Sequence, residues 1–86
     1  MHTVELLEAA LDLAGRLGYS VRQEWLGGGG GGVCELRGRK TLFLDLDQGP
    51  AEQLDRAVQT LRSEPEALRL PMSAELAQLL RLRKIA

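Results

Sequence analysis

Residues 33–47, VCELRGRKTLFLDLD, decide the fold, because apolar and polar positions alternate on both sides of a glycine-containing break. Period-two alternation is what a half-buried strand requires, and two such runs around a short glycine-containing break read as a β-hairpin. The register follows from the face each residue must occupy. A two-residue turn at Gly38–Arg39 would set Leu36 opposite Thr41 and Glu35 opposite Leu42, placing a carboxylate on the face of Leu42, Leu44 and Leu46. Burying that charge unpaired is costly. A three-residue loop, Gly38 to Lys40, sets Leu36 opposite Leu42 and Cys34 opposite Leu44, and leaves Glu35 beside Phe43 on the other face. The pattern therefore predicts the three-residue loop, with Cys34 in the core, Asp45 solvated opposite Val33, and Asp47 capping the next helix.

Upstream, YSVRQEWL (19–26) keeps period two, with Tyr19, Val21 and Trp25 on one side and Ser20, Arg22 and Glu24 on the other, so a third strand is predicted. Before it, TVELLEAALDLAGRLG (3–18) has helical spacing. Val4, Leu7, Leu11 and Ala14 share one face, Leu6, Ala10, Leu13 and Leu17 widen it, Thr3 can cap the start, and Gly18 suits a left-handed stop. Downstream, QGPAEQLDRAVQTLRSEP (48–65) offers Pro50 for the first helical position, Glu52 for the first turn, and a stripe of Leu54, Ala57, Val58 and Leu61. Ser73 then caps a last helix with Leu76, Leu79 and Leu80 as its contacts and Arg81, Arg83 and Lys84 as a basic tail. The expectation is an α+β domain of order α-β-β-β-α-α. Its three-stranded sheet is expected to be antiparallel, with helices mainly on one face, because the strand connections are too short for parallel crossovers other than across the glycines.

The chain has 86 residues, which fits one domain spanning 1–86. With 11 basic and 12 acidic residues the formal charge is −1, so no sequence-wide attraction to nucleic acid or to an anionic membrane is encoded. One cysteine, Cys34, and one histidine, His2, leave no internal disulfide and no multi-cysteine zinc motif; Cys34 also lacks a histidine to activate it as a nucleophile. No cofactor or metal is implied. No apolar run approaches the roughly 18 residues of a membrane span, and the first residues are acidic where a signal peptide would be basic, so a soluble cytoplasmic setting is expected.

The six glycines 27–32 invite comparison with a phosphate loop, but such loops stand between a strand and a helix, and this run leads into a strand with no Lys-Ser or Lys-Thr after it. A flexible linker between strands is expected. The alternative has Gly28, Gly29, Gly30 and Gly31 closing over a small anion beside Arg37, Arg39 and Lys40. Asp45, Asp47 and Glu35 resemble a nuclease-type carboxylate set, yet Glu35 is followed by Leu36 and Arg37 where a lysine would be needed. A sheet covered on one face leaves Trp25, Phe43 and Val33 for a partner, either a second copy or another protein. The resulting expectation is a non-catalytic interaction or regulatory domain, with the anion-binding or enzymatic domain as its alternative. Nucleic-acid binding through Arg81, Arg83 and Lys84 is a further one.

A helix ending in LGYSVRQEWL, a glycine-containing loop, and LRGRKTLFLDLDQGPAEQ running into an amphipathic helix together resemble the N-terminal half of ImmA/IrrE-type zinc metallopeptidases, over about residues 4 to 62. In that family the helix after the hairpin carries His-Glu-x-x-His, whose histidines bind zinc and whose glutamate is the general base. Gln59, Thr60, Leu61, Arg62 and Ser63 stand there in this chain and supply neither. The resemblance thus implies the fold without the peptidase activity.

Overall fold

The computed structural model describes residues 2–81. In chain order these form α1 (Thr3–Arg16), β1 (Ser20–Glu24), β2 (Gly32–Leu36), β3 (Arg39–Asp45), α2 (Pro50–Arg62), a short 3-10 turn (Ala67–Arg69) and α3 (Ala74–Arg81). The expected α+β class and element order hold. Arg83 and Lys84, expected in the basic tail, lie outside the described residues.

Local chemistry sets most helix ends. The Gly49 N–H donates to Glu52 Oε1 at 3.0 Å with Pro50 in the first turn, and the Leu76 N–H donates to Ser73 Oγ at 3.2 Å, so both expected starts are made. α1 begins one residue earlier than the Thr3 cap predicted, with the His2 N–H donating to Glu5 Oε1 at 3.2 Å. It ends where Gly18 adopts φ +95°, letting the Tyr19 N–H reach the Ala14 carbonyl at 3.0 Å.

The sheet order is β1-β3-β2, with β1 parallel and β2 antiparallel to β3, so the sheet is mixed rather than purely antiparallel. β3 takes the centre because it is the most apolar strand, and the central strand is paired on both edges. Leu42 and Leu44 of β3 are 0% and 1% exposed. For β1 and β2 to flank it, residues 25–31 must cross about 10 Å, two strand spacings, over the end of β3. A segment of that length spans this easily.

The hairpin also differs from expectation. Leu36 pairs with Arg39, Glu35 with Lys40, Cys34 with Thr41 and Val33 with Leu42, around a two-residue turn at Arg37–Gly38. Both turn residues have positive φ, +53° and +78°, as a type I′ turn requires. The three-residue loop keeps Glu35 off the face of Leu42, which is needed only if helices cover all three strands. They do not. α1 packs on β1 and α2 on β3, and β2 lies beyond them, so Glu35 shares that face yet stays in water beside Lys40. The same register turns Cys34 to the face away from the helices, opposite Thr41, where it is exposed instead of sitting in the core.

The core joins Leu7 and Leu13 of α1, Leu42 and Leu44 of β3, Leu61 of α2 and Leu76 of α3. Each such buried leucine contributes about 2 kcal/mol relative to exposure. By the strand register, Val21, Gln23, Lys40, Leu42 and Leu44 face the helices, while Arg22, Glu24, Thr41, Phe43, Asp45 and Cys34 line the opposite, open face.

Candidate functional site

Asp45 ends β3 on the open face, where a carboxylate would be expected in water, yet it is 0% exposed. The glycine run covers it. Asp45 Oδ1 accepts the Leu26 N–H at 3.0 Å and the Asp47 N–H at 2.9 Å, and Oδ2 accepts the Gly30 N–H at 3.1 Å. Beside it, Asp47 Oδ2 accepts the Gly27 N–H at 2.7 Å, so Asp47 holds the crossing segment and Gly49 takes the helix cap instead. Convergent backbone N–H groups of this kind form an anion nest. Here the anion is the chain's own side chain. Burial pushes the Asp45 carboxyl up, but the backbone N–H groups of Asp47, Leu26, Gly30 and Gly28 outweigh it and hold the group below its ordinary value. The expectation of a solvated Asp45 facing Val33 is therefore corrected: the open face is roofed at this end by residues 25–31.

The glycines serve unequal purposes. Gly30, at φ +78°, turns its N–H onto Asp45, and Gly27 and Gly28 also have positive φ. Gly31 lies so close to β3 that a Cβ there would overlap the Phe43 carbonyl. Gly29 meets only an ordinary contact, and Gly32, the last of the run, already belongs to β2 with open space around it.

The basic group expected beside the glycines sits elsewhere. Gly28 to Gly31 lie at the Asp45 end of β3 and Arg37, Arg39 and Lys40 at its other end, six residue steps or about 20 Å away. The structure does not bring the two halves of that anion site together. At the tip, Lys40 Nζ bonds Glu64 Oε1 at 2.9 Å, and the Tyr19 hydroxyl donates to the same oxygen at 2.6 Å, with Lys40 Nζ 5.6 Å from the centre of the Tyr19 ring. Desolvation, with Glu64 as hydrogen-bond acceptor and negative neighbour, raises Tyr19 to about 12. The hydrogen bonds from Tyr19 and Lys40 lower Glu64, and the bond to Glu64 raises Lys40. Arg37 and Arg39 are exposed and, with Leu17, Gly18, Lys40 and Glu64, line an open hollow.

The three side chains expected to meet a partner do not share one face. Phe43 is half-buried on the open face, with the Arg22 guanidinium 5.9 Å from its ring centre; Trp25 is 72% exposed just after β1. Val33, expected on the open face, stands opposite Leu42 on the helix side and is still 49% exposed, because the main helix–sheet contacts among the described residues are α1 with β1 and α2 with β3. Sequence reasoning missed Leu36, 59% exposed on the same strand. It also missed the Asp45 nest. The available signal was an aspartate between Leu44 and Leu46 in a core strand, near a run of glycines with N–H groups to place. Among the described residues, no three His, Cys, Asp or Glu side chains converge on a metal-sized site, and no helix is long and apolar enough to cross a membrane.

No protein-family model, curated protein or solved structure matches this chain.

Proposed function

We propose that the chain is a non-catalytic interaction domain that docks a protein on the uncovered half of its sheet. The observation that carries this reading is β2: among the described residues the helices pack chiefly on β1 and β3, and no strand pairs with its outer edge. It presents Val33 and Leu36 at 49% and 59% exposure. An unprotected edge with apolar side chains on both faces is a template for another strand. The competing reading, a small anion held by the glycine run, is disfavoured because the Leu26, Gly27 and Gly30 N–H groups already donate to Asp45 and Asp47. The likeness to ImmA/IrrE-type peptidases fits the same conclusion, with Gln59 to Ser63 standing where a zinc motif would be. An exposed, free Cys34 accords with a reducing, cytoplasmic setting.

The test is light scattering at tens of micromolar combined with affinity purification, for the wild type and for a Val33→Lys/Leu36→Lys variant. The wild type is expected to associate with itself or with one defined protein, and the variant to do neither. A strictly monomeric wild type that brings down no protein rejects the reading. Phosphate affinity that falls on Gly30→Ala would favour the anion site instead.

A further inference from the structure

We infer that the partner is a second copy of this chain, joined β2 to β2 in antiparallel register about Cys34. The inference rests on the reading that the bare half of the sheet is a docking surface, and adds the occupant and its register. In a two-residue hairpin the pair flanking the turn, here Leu36 and Arg39, exchanges hydrogen bonds, and bonded and non-bonded pairs then alternate. Cys34 is thus bonded inward to Thr41, while the N–H and C=O groups of Val33 and Glu35 point away from β3. These are the groups the edge offers.

Pairing with an identical strand about a twofold axis limits the register. Facing residues must lie on the same side of the joined sheet, so the axis must pass through a residue and not between two. An axis at Glu35 sets two carboxylates opposite each other, and an axis at Val33 runs the pairing into Gly30 and Gly31, which are held against Asp45 and Phe43. An axis at Cys34 pairs the whole of Gly32–Leu36. Val33 and Glu35 then exchange backbone hydrogen bonds with Glu35 and Val33 of the second copy.

Side chains fit the same register. Leu36 falls opposite Gly32 of the second copy, where there is open space, and Gly32 is itself paired with the half-buried Phe43. Leu36 can therefore reach across the glycine onto that ring, so an exposed leucine fills the gap that leaves the aromatic uncovered. No Pro or Lys interrupts Gly32–Leu36 to prevent such pairing. The product is a six-stranded sheet of order β1-β3-β2-β2-β3-β1. An interface of one short strand is small, so the dimer exchanges and dissociates on dilution.

Cys34 supplies the test, since it would face Cys34 of the second copy at a non-hydrogen-bonded site with Cα atoms about 4.5 Å apart, within disulfide reach. Treating the full chain with diamide lets the two thiols give up two protons and two electrons to the reagent and form one S–S bond. We expect a disulfide dimer on a non-reducing gel, and a concentration-dependent dimer by light scattering without oxidant. Val33→Pro removes an outward N–H that β3 does not use, and Leu36→Lys removes the apolar contact. Each should lower the dimer fraction at least about tenfold while the circular dichroism melt stays within a few degrees. A chain that is monomeric and uncrosslinked, or a dimer indifferent to both substitutions, overturns the inference. If such a monomer still binds a defined protein, docking at the bare sheet survives; if it binds none, both readings fall.

Discussion

The two ends of β3 are held by different chemistry. At the tip, two residues reverse the chain, and the anchoring is done by side chains, Lys40 and Tyr19 on Glu64. At the far end five glycines, Gly27 to Gly31, pass over the strand and the anchoring is done by backbone, with N–H groups of residues 26, 27 and 30 on two aspartates. The contrast teaches that glycine content does not reveal what a segment does; the destination of its N–H groups does. Gly38 at the tip and Gly30 in the crossing share φ +78°, yet only Gly30 delivers its N–H to a carboxylate.

The sharpest way to break this contrast is Gly31→Ala. Its Cβ would meet the Phe43 carbonyl, a backbone atom that cannot yield, so the crossing must lift from β3 and loosen its hold on Asp45. A loss of about 3 kcal/mol, or a Tm drop of roughly 12–24 °C by calorimetry, is expected. Asp45→Asn comes next, because it replaces an acceptor oxygen with an NH2 group among N–H donors. The Tm should fall by about 10 °C at neutral pH. The folded Asp45 carboxyl lies below its ordinary 3.8, so its contribution is full above that pH and is lost as pH falls through the folded value. Denaturant midpoints of wild type and variant should therefore converge on acidification; parallel curves would remove the nest from the account.

At the tip end the pH dependence has an added alkaline arm. Tyr19→Phe deletes the hydroxyl bond to Glu64 and should cost about 1–2 kcal/mol. Tyr19 is raised from 10.0 to about 12 in the folded chain, so its stabilisation is full below pH 10 and disappears as pH rises through 12, with Lys40 acting in the same direction. Phenolate absorbance followed alongside unfolding should report the Tyr19 ionisation in the wild type, while Tyr19→Phe should keep only the Lys40 part of the alkaline limb. Glu64 gives the tip an acid limb as well, since it lies below its ordinary 4.5 and its contribution fades as pH falls through the folded value. The smallest effect is reserved for Gly29→Ala, where φ is ordinary and space is available; stability should change by no more than about 0.5 kcal/mol. A large loss there would mean the glycines act together and not position by position.

What could be read in the sequence was whatever local chemistry decides. Pro50, Glu52, Ser73 and Gly18 mark helix ends through bonds made within a few residues, and Leu7, Leu13 and Leu61 declare the core by spacing alone. What failed depended on how far one element reaches over another. Periodicity puts Val33 and Glu35 on one face of β2 but does not say that the main helix contacts fall on β1 and β3, and the hairpin register differs from the expected one for that reason. The roof over Asp45 was hidden similarly, because an aspartate in a strand looks the same whether water or a loop 15 to 19 residues upstream meets it.

The parallel pairing of β1 with β3 also bears on how the chain assembles. Every residue pair between these strands is twenty-one positions apart along the chain, whereas the β2–β3 hairpin closes locally around its turn. Local contacts form before distant ones, so the hairpin comes first and β1 then closes onto the free side of β3. During that closure residues 25–31 must swing past the end of a strand already in place. Glycines are suited to this passage because the search is fastest through a segment without side chains to obstruct it. Stiffening the crossing at Gly29, where the native geometry permits a side chain, is therefore a change that would surface in refolding rate before it surfaced in equilibrium stability.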